Sequence, residues 1–78
     1  IRMETLTTQP GVQLYTSKFL KSATACKDGA SYGQYSAVCL ETQDFPDAPN
    51  HPDFPDTTVL PDRPYSATTL YRFDLAPL

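Results

Sequence analysis

The sequence lacks three features that mark common classes of small protein. It contains no apolar run near the roughly 20 residues of a membrane helix, so no membrane partner is expected. Its six Lys and Arg residues are scattered and the net charge is −3, so nucleic acid is not an expected partner. Two cysteines are too few for the disulfide framework of a secreted miniprotein. The composition therefore indicates none of these three classes.

Apolar residues are also scarce for a chain of this length. They make up 40% of the 78 residues, eight positions are proline, and the mean hydropathy is −0.39. A single core in so short a chain barely offsets the conformational entropy lost on folding. The chain begins inside a strand-like segment with no signal-peptide pattern before it. We therefore expect part of a larger domain with a truncated N-terminal boundary.

The sequence also lacks the usual motifs for cofactor and metal chemistry. There is no glycine-rich phosphate loop, no cysteine pair with zinc-binding spacing and no EF-hand pattern. No metal is therefore expected. Cys26 and Cys39 are compatible with one disulfide, but two reduced thiols are the simpler interpretation. Reduced thiols predict a cytoplasmic protein.

Four segments have the alternating pattern of β-strands, and none has the periodicity of a strong helix. The segments are 2–9, 12–16, 36–43 and 65–74. Between the first two, Pro10-Gly11 predicts a type II turn with the glycine at positive φ. Type II turns splay strands, so a bent continuation is expected in place of a tight hairpin. The pattern predicts an all-β, sandwich-like fold of antiparallel strands that needs a partner sheet.

A proline-rich loop occupies 44–64, where six of 21 residues are proline and five are aspartate. From Pro46 to Pro55 a proline recurs every third residue, which is the period of polyproline II. An interaction module built on this run is one hypothesis, but its negative charge disfavours an acidic SH3 groove as partner. The preferred interpretation is an extended, rigid loop that places Phe45 and Phe54 on a neighbouring layer. His51, the sole histidine, is expected to be a surface residue.

The segment that ends at Gln43 carries the candidate catalytic residue. Alternation places Glu41 on the face opposite Val38 and Leu40, beside Cys39 and Gln43. A carboxylate held on a rigid strand is one way in which a fold presents a general base. A solvated glutamate on the open face of an antiparallel sheet has the same pattern. The strand alone leaves both interpretations open.

Two motifs and two later segments resemble the C-terminal part of the aldose 1-epimerases (galactose mutarotases). They are TTQPGVQLYT at 7–16, CLETQ at 39–43, FPDAPN at 45–50 and the closing segment at 65–73. The resemblance implies that 1–78 is the C-terminal portion of one such domain, whose N-terminal portion is absent. It also implies a large antiparallel β-sandwich, called a supersandwich, with the sugar in an open cleft on one sheet.

The resemblance implies a reaction as well, the interconversion of the α and β anomers of free aldohexoses such as glucose and galactose, without a cofactor. The family's general base is the glutamate of LETQ, which corresponds to Glu41. The glutamine of PGVQ contacts the sugar and corresponds to Gln13. Lys18 stands where many relatives have asparagine.

The family's general acid is a histidine that lies upstream of this region. The isolated chain is therefore expected to be inactive and to need the remainder of the enzyme as its partner. The alternative hypothesis is a non-catalytic, carbohydrate-binding or sugar-sensing relative of the same fold.

Overall fold

The computed structural model describes residues 1–22 and 26–77, and within them the chain is built from β-strands. The predicted all-β, antiparallel architecture is confirmed. No helix in these two ranges has the length and apolar character needed to cross a membrane. The strands are β1 (Arg2–Thr7), β2 (Gly11–Tyr15), β3 (Cys39–Gln43) and β4 (Thr69–Asp74), with short 3₁₀ helices at Lys27–Gly29 and Ala48–Asn50.

The strands pair in a nested order, with the first and last in one antiparallel sheet and the middle two in another. In the first sheet Arg2 is opposite Asp74. In the second, Gly11 is opposite Gln43. Consecutive strands β1 and β2 therefore lie in different sheets, as expected of a connection that bends the chain without closing a hairpin.

The two sheets contact each other through the face of β1–β4 that carries Thr69 and the face of β2–β3 that carries Thr42. The hydroxyls of Thr42 and Thr69 are 2.7 Å apart, and the Tyr71 hydroxyl donates to the Leu40 carbonyl at 2.9 Å. Between the sheets lies a cavity of about 220 Å³, lined in part by Thr5, Val12 and Leu40. Each sheet has two strands among the described residues, so the full sandwich stays a prediction.

The opposite face of β1–β4 carries a ladder of alternating charges. Arg2 donates to the Asp74 carboxylate at 2.5 Å, and Arg72 pairs with Glu4. Directly opposite residues of an antiparallel pair lie on one face, so these four charged groups share a surface. Charged side chains favour water, so this face of the sheet is its solvent side.

Little of the chain is buried. Among the described residues, Ala48 and Ser17 alone are classed as buried. The accessible surface is 6658 Å², whereas a compact protein of this mass exposes about 4,700 Å². The radius of gyration is 17.0 Å, compared with about 11.5 Å for a compact domain of this length. The described residues by themselves therefore do not enclose a hydrophobic core, as the apolar content predicted.

β4 begins later than the alternating pattern predicted, at Thr69 instead of residue 65. The N–H of Thr68 donates to the side-chain hydroxyl of Thr8 at 3.0 Å instead of to a strand carbonyl. The neighbouring Thr7 hydroxyl donates to the Thr68 carbonyl at 3.2 Å. The Thr8 N–H still donates to the Thr68 carbonyl at 3.1 Å, but a threonine hydroxyl takes the reciprocal bond of the backbone ladder, and the strand begins only at Thr69.

The proline-rich loop is folded back in turns, so the prediction of an extended loop is wrong. Polyproline II has no internal hydrogen bonds. Here the N–H of Ala48 donates to the Phe45 carbonyl at 3.2 Å, and the N–H of His51 donates to the Ala48 carbonyl at 3.0 Å. The N–H of Phe54 donates in turn to the His51 carbonyl at 2.9 Å. Asp47, at φ 62°, adopts the left-handed conformation that admits this reversal.

Candidate functional site

The structure places Gln13 directly opposite Glu41 in the middle rung of the β2–β3 ladder. Directly opposite residues have Cβ atoms about 5 Å apart and project from the same face. This face points away from the β1–β4 sheet, because Leu40 and Thr42, which contact that sheet, alternate with Glu41. The sequence placed each residue on a face of its own strand, and the pairing brings the two side chains together.

Both side chains at this rung are exposed and available to a ligand. Within the described ranges no hydrogen bond or ion pair holds the Glu41 carboxylate. The Gln13 amide makes one contact, donating from Nε2 to the adjacent Leu14 carbonyl at 3.3 Å. A carboxylate that accepts protons therefore lies beside an amide that both donates and accepts hydrogen bonds.

The next pair on the same face, two residues further along β2, is Tyr15 and Cys39. The Tyr15 hydroxyl accepts a hydrogen bond from the Phe19 N–H at 3.3 Å, so the ring is tied to the chain that follows β2. Cys39 is exposed, and no disulfide joins it to Cys26. Reduced thiols at both positions stay a prediction.

The approach to β3 is held by Ser17, which is 2% exposed. Its hydroxyl donates to the Ala37 carbonyl at 3.0 Å and accepts from the Ala37 N–H at 3.1 Å. Since both polar groups of Ala37 are bonded to a side chain, they are not paired with a strand, and β3 begins at Cys39 instead of residue 36. No sequence signal indicates this role, because a serine in a loop is ordinarily exposed.

On the other side of the central pair, the ring of Phe45 lies against Gly11. A Cβ atom at Gly11 would lie 3.1 Å from Phe45 Cδ1 and 3.2 Å from Cε1. Gly29 is the one glycine of the described residues at positive φ, so Gly11 does not supply the turn conformation expected of Pro10-Gly11. The type II turn prediction is wrong, and close approach of an aromatic ring is the reason for this glycine. Phe45 follows β3 closely and contacts the β2–β3 sheet itself, so packing on a neighbouring layer stays a prediction.

Further along the loop, Phe54 packs on Phe45 instead of on a strand. The two ring centroids are 5.2 Å apart in an edge-to-face arrangement. His51 stacks on Phe54 with centroids 4.5 Å apart, and its Nε2 lies 3.1 Å from the Asp47 carboxylate. These contacts assign His51 to the structure of the loop, and none of them reaches Glu41.

A second polar cluster lies near the end of the same loop, around Asp56. Its carboxylate accepts from the Thr58 N–H and from Arg63, each at 3.0 Å. The Thr58 N–H holds the pKa of the Asp56 carboxyl below its usual 3.8, with Arg63 adding to the effect. The adjoining concavity of about 240 Å³ is lined by neither Gln13 nor Glu41. In the described ranges no group of three or more His, Cys, Asp or Glu side chains is placed to hold a metal ion.

Comparison with known proteins gives a consistent result. A family model described as aldose 1-epimerase matches residues 1–72. Galactose mutarotase of Homo sapiens is 47% identical over 74 residues, and that of Mus musculus is 46% identical over 74 residues. Each of these matches covers 95% of this chain and 22% of the relative.

Aldose 1-epimerase of Escherichia coli (strain K12) is 33% identical over 75 residues, covering 94% of this chain and 21% of the relative. The chain therefore spans about a fifth of the length of these relatives. No solved structure matches it. Because the family model matches nearly all of its residues, the chain belongs to the aldose 1-epimerase family.

Proposed function

We propose that residues 1–78 form the C-terminal portion of one aldose 1-epimerase-like sandwich domain. Joined to the remainder of that domain, they interconvert the α and β anomers of free aldohexoses such as glucose and galactose. The observation that carries the proposal is the direct pairing of Gln13 and Glu41 on one exposed sheet face. The names of the relatives, galactose mutarotase and aldose 1-epimerase, support the reaction class.

In the proposed mechanism Glu41 acts as the general base. Its carboxylate takes the proton of the anomeric C1 hydroxyl, the bond between C1 and the ring oxygen breaks, and an acid protonates that oxygen. Rotation about C1–C2 in the open aldehyde presents the other carbonyl face. The ring oxygen then attacks C1 as its proton returns to the acid and Glu41 returns its proton to the hydroxyl. Gln13 holds a sugar hydroxyl by donating and accepting hydrogen bonds.

The remainder of the domain is the proposed partner, since no histidine of the described residues lies beside Glu41 to act as the acid. The one histidine of the chain, His51, bonds to Asp47 and stacks on Phe54. The exposed apolar side chains also support a covering segment. Val12 and Leu14, on the inner face of β2, are 56% and 57% exposed. Full burial of such a side chain contributes about 1.5–3 kcal/mol, and roughly half of that is still to be gained at each position.

The experiment is polarimetric mutarotation of galactose by the full-length protein that carries these residues, with Glu41→Gln. We expect kcat to fall by about 10²–10⁴-fold, the range that general acid–base assistance contributes. Glu4→Gln is the matched control, because Glu4 lies on the solvent side of β1 and pairs with Arg72. Normal turnover by Glu41→Gln would refute the assignment of the base. Galactose binding without turnover by the unmodified protein would instead favour the non-catalytic, sugar-sensing alternative.

We further propose that the protein works in the cytoplasm, where thiols stay reduced. Two cysteines are too few for the disulfide framework of a small secreted protein, which supports this location. Cell fractionation tests it, with recovery in a secreted fraction as the contrary result.

A further inference from the structure

Tyr15 lies toward one end of the face that carries Gln13 and Glu41, whereas the end toward Gln43 offers almost no apolar surface of its own. Its side chains on the two rungs nearest Gln43 are amides and a carboxylate, and Gly11 adds no side chain. Ligand sites combine a few polar groups that fix orientation with apolar and aromatic walls that supply contact area. A pyranose ring has C–H groups on its faces as well as hydroxyls, so a sugar site on this strand pair needs such a wall.

Phe45 is placed to supply the wall. Gly11, Gln13, Glu41 and Gln43 share one face, because Gly11 is opposite Gln43 and Gln13 is opposite Glu41. The missing Cβ of Gly11 would project from this face into the Phe45 ring at 3.1 Å. The ring therefore lies on the face of the candidate base, over the next pair of residues on that face. Two residues along a strand span about 6.8 Å, a distance comparable to the width of one sugar ring.

Two other side chains of the loop hold the Phe45 ring in this position. Phe54 contacts the ring edge to face at 5.2 Å between centroids, and His51 stacks on Phe54 at 4.5 Å between centroids. The Asp47 carboxylate in turn fixes His51 at 3.1 Å. Phe45 nevertheless stays 36% exposed, so part of its surface is open to a ligand. A wall that is ordered before binding loses little entropy when the ligand arrives.

We propose that Phe45 is a substrate-positioning residue, an aromatic wall over the Gly11–Gln43 rung that packs against the sugar ring and aligns its anomeric hydroxyl with Glu41. The proposal rests on the proposed function of the same strand pair. It also gives Gly11 a purpose, since any larger residue displaces the wall. Phe54 and His51 then serve to brace Phe45.

The first test is steady-state mutarotation of galactose by the full-length protein with Phe45→Ala. We expect KM to rise about tenfold, equivalent to about 1.4 kcal/mol, while kcat falls by a factor of about three or less, since acid and base remain in place. Phe45→Tyr keeps the ring and should restore most of the lost affinity. The control is Phe19→Ala, because Phe19 is 78% exposed and its ring contact is with Lys18. An unchanged KM in Phe45→Ala overturns the proposal.

A second test uses Gly11 and does not require removal of the ring. Gly11→Ala pushes the ring by a few tenths of an ångström, so we expect a higher KM when Phe45 is present. In the Phe45→Ala background the added methyl keeps only an ordinary contact of 3.6 Å with the Gln43 carbonyl, so Gly11→Ala should have little further effect. Equal effects in the two backgrounds would show that the methyl acts elsewhere and would overturn the proposal.

A third measurement separates this proposal from the assignment of the base. Calorimetric titration with galactose is made on Glu41→Gln, with and without Phe45→Ala, so that no turnover is needed. We expect the Phe45→Ala form to bind about tenfold more weakly. Equal affinity of the two forms overturns the role of Phe45, whatever the activity of Glu41→Gln. Turnover by Glu41→Gln contradicts the base assignment and leaves this comparison of affinities valid.

Discussion

Replacing Ser17 by alanine is expected to destabilise the full-length protein and to loosen the start of β3. The Ser17 side chain is 2% exposed, and its hydroxyl bonds both polar groups of Ala37 at 3.0 and 3.1 Å. The Ser17 carbonyl also accepts from the N–H groups of Leu20 and Tyr35, at 3.2 and 3.1 Å. One residue thus ties together both ends of the loop that joins β2 to β3.

The magnitude follows from two opposing terms. Loss of two hydrogen bonds costs about 1–3 kcal/mol in total, and the value should fall near the middle because Ala37 is exposed to water. Ser17 also has φ 56°, in the left-handed region, which costs a non-glycine residue about 1–2 kcal/mol. Alanine loses the bonds and keeps this strain. Glycine loses the bonds and is free of it, so Ser17→Gly should be more stable than Ser17→Ala by about 1 kcal/mol.

Urea unfolding of the full-length protein measures both differences, with equal m-values required for the comparison. Ser31→Ala is the control, since Ser31 is an exposed serine of the same loop. The expected order of stability is wild type, then Ser17→Gly, then Ser17→Ala. If the alanine variant is as stable as wild type, the hydroxyl does not hold the loop. If glycine is the least stable of the three, strain at this position is not significant.

Three further predictions concern the rest of the chain. Because the folded-state pKa of Asp56 is lowered, its hydrogen bonds stabilise the loop above pH 3.8 and are lost as the pH falls through the lower folded-state pKa. Carbon-13 NMR should find the titration midpoint of the Asp56 carboxyl below 3.8. Thr58→Pro, which lacks the N–H donor, should raise that midpoint. Glu4→Gln should destabilise the full-length protein by about 0.5 kcal/mol or less, and the difference should vanish in 1 M NaCl, since Glu4 and Arg72 are surface residues. The isolated 78 residues should catalyse no mutarotation and show no cooperative thermal transition by circular dichroism, and a sharp transition would contradict their dependence on a partner segment.

The sequence predicted the strands because their signal is local. Alternation in Val12-Gln13-Leu14-Tyr15 is sufficient to assign a strand and to sort its residues between two faces. The partner and register of that strand are not local properties. They depend on the loop between β2 and β3, which the Ser17 hydroxyl secures against Ala37. The opposition of Gln13 and Glu41 therefore had to come from the structure.

Gly11 shows a second limit of sequence reasoning. Glycine serves either where φ must be positive or where another group approaches the backbone closely, and the dipeptide Pro10-Gly11 favours the first reason. The second reason applies here, because the Phe45 ring lies where a side chain would project. The period of prolines was misleading in a similar way. It is compatible with polyproline II, but Asp47 reverses the chain and places Phe45 on β2.

The nested pairing of the strands has a consequence for the order in which the segment folds. Arg2 and Asp74 are 72 positions apart, so the one strand that pairs with β1 among the described residues, β4, becomes available late. Pairing of β2 with β3 closes a much shorter loop and brings the outer strands closer, which favours an inside-out order. During synthesis β1 leaves the ribosome before its partner and presents an open strand edge in the meantime. We therefore expect β1 to be the strand that most needs chaperone protection during synthesis, although no residue of β1 belongs to the proposed sugar site.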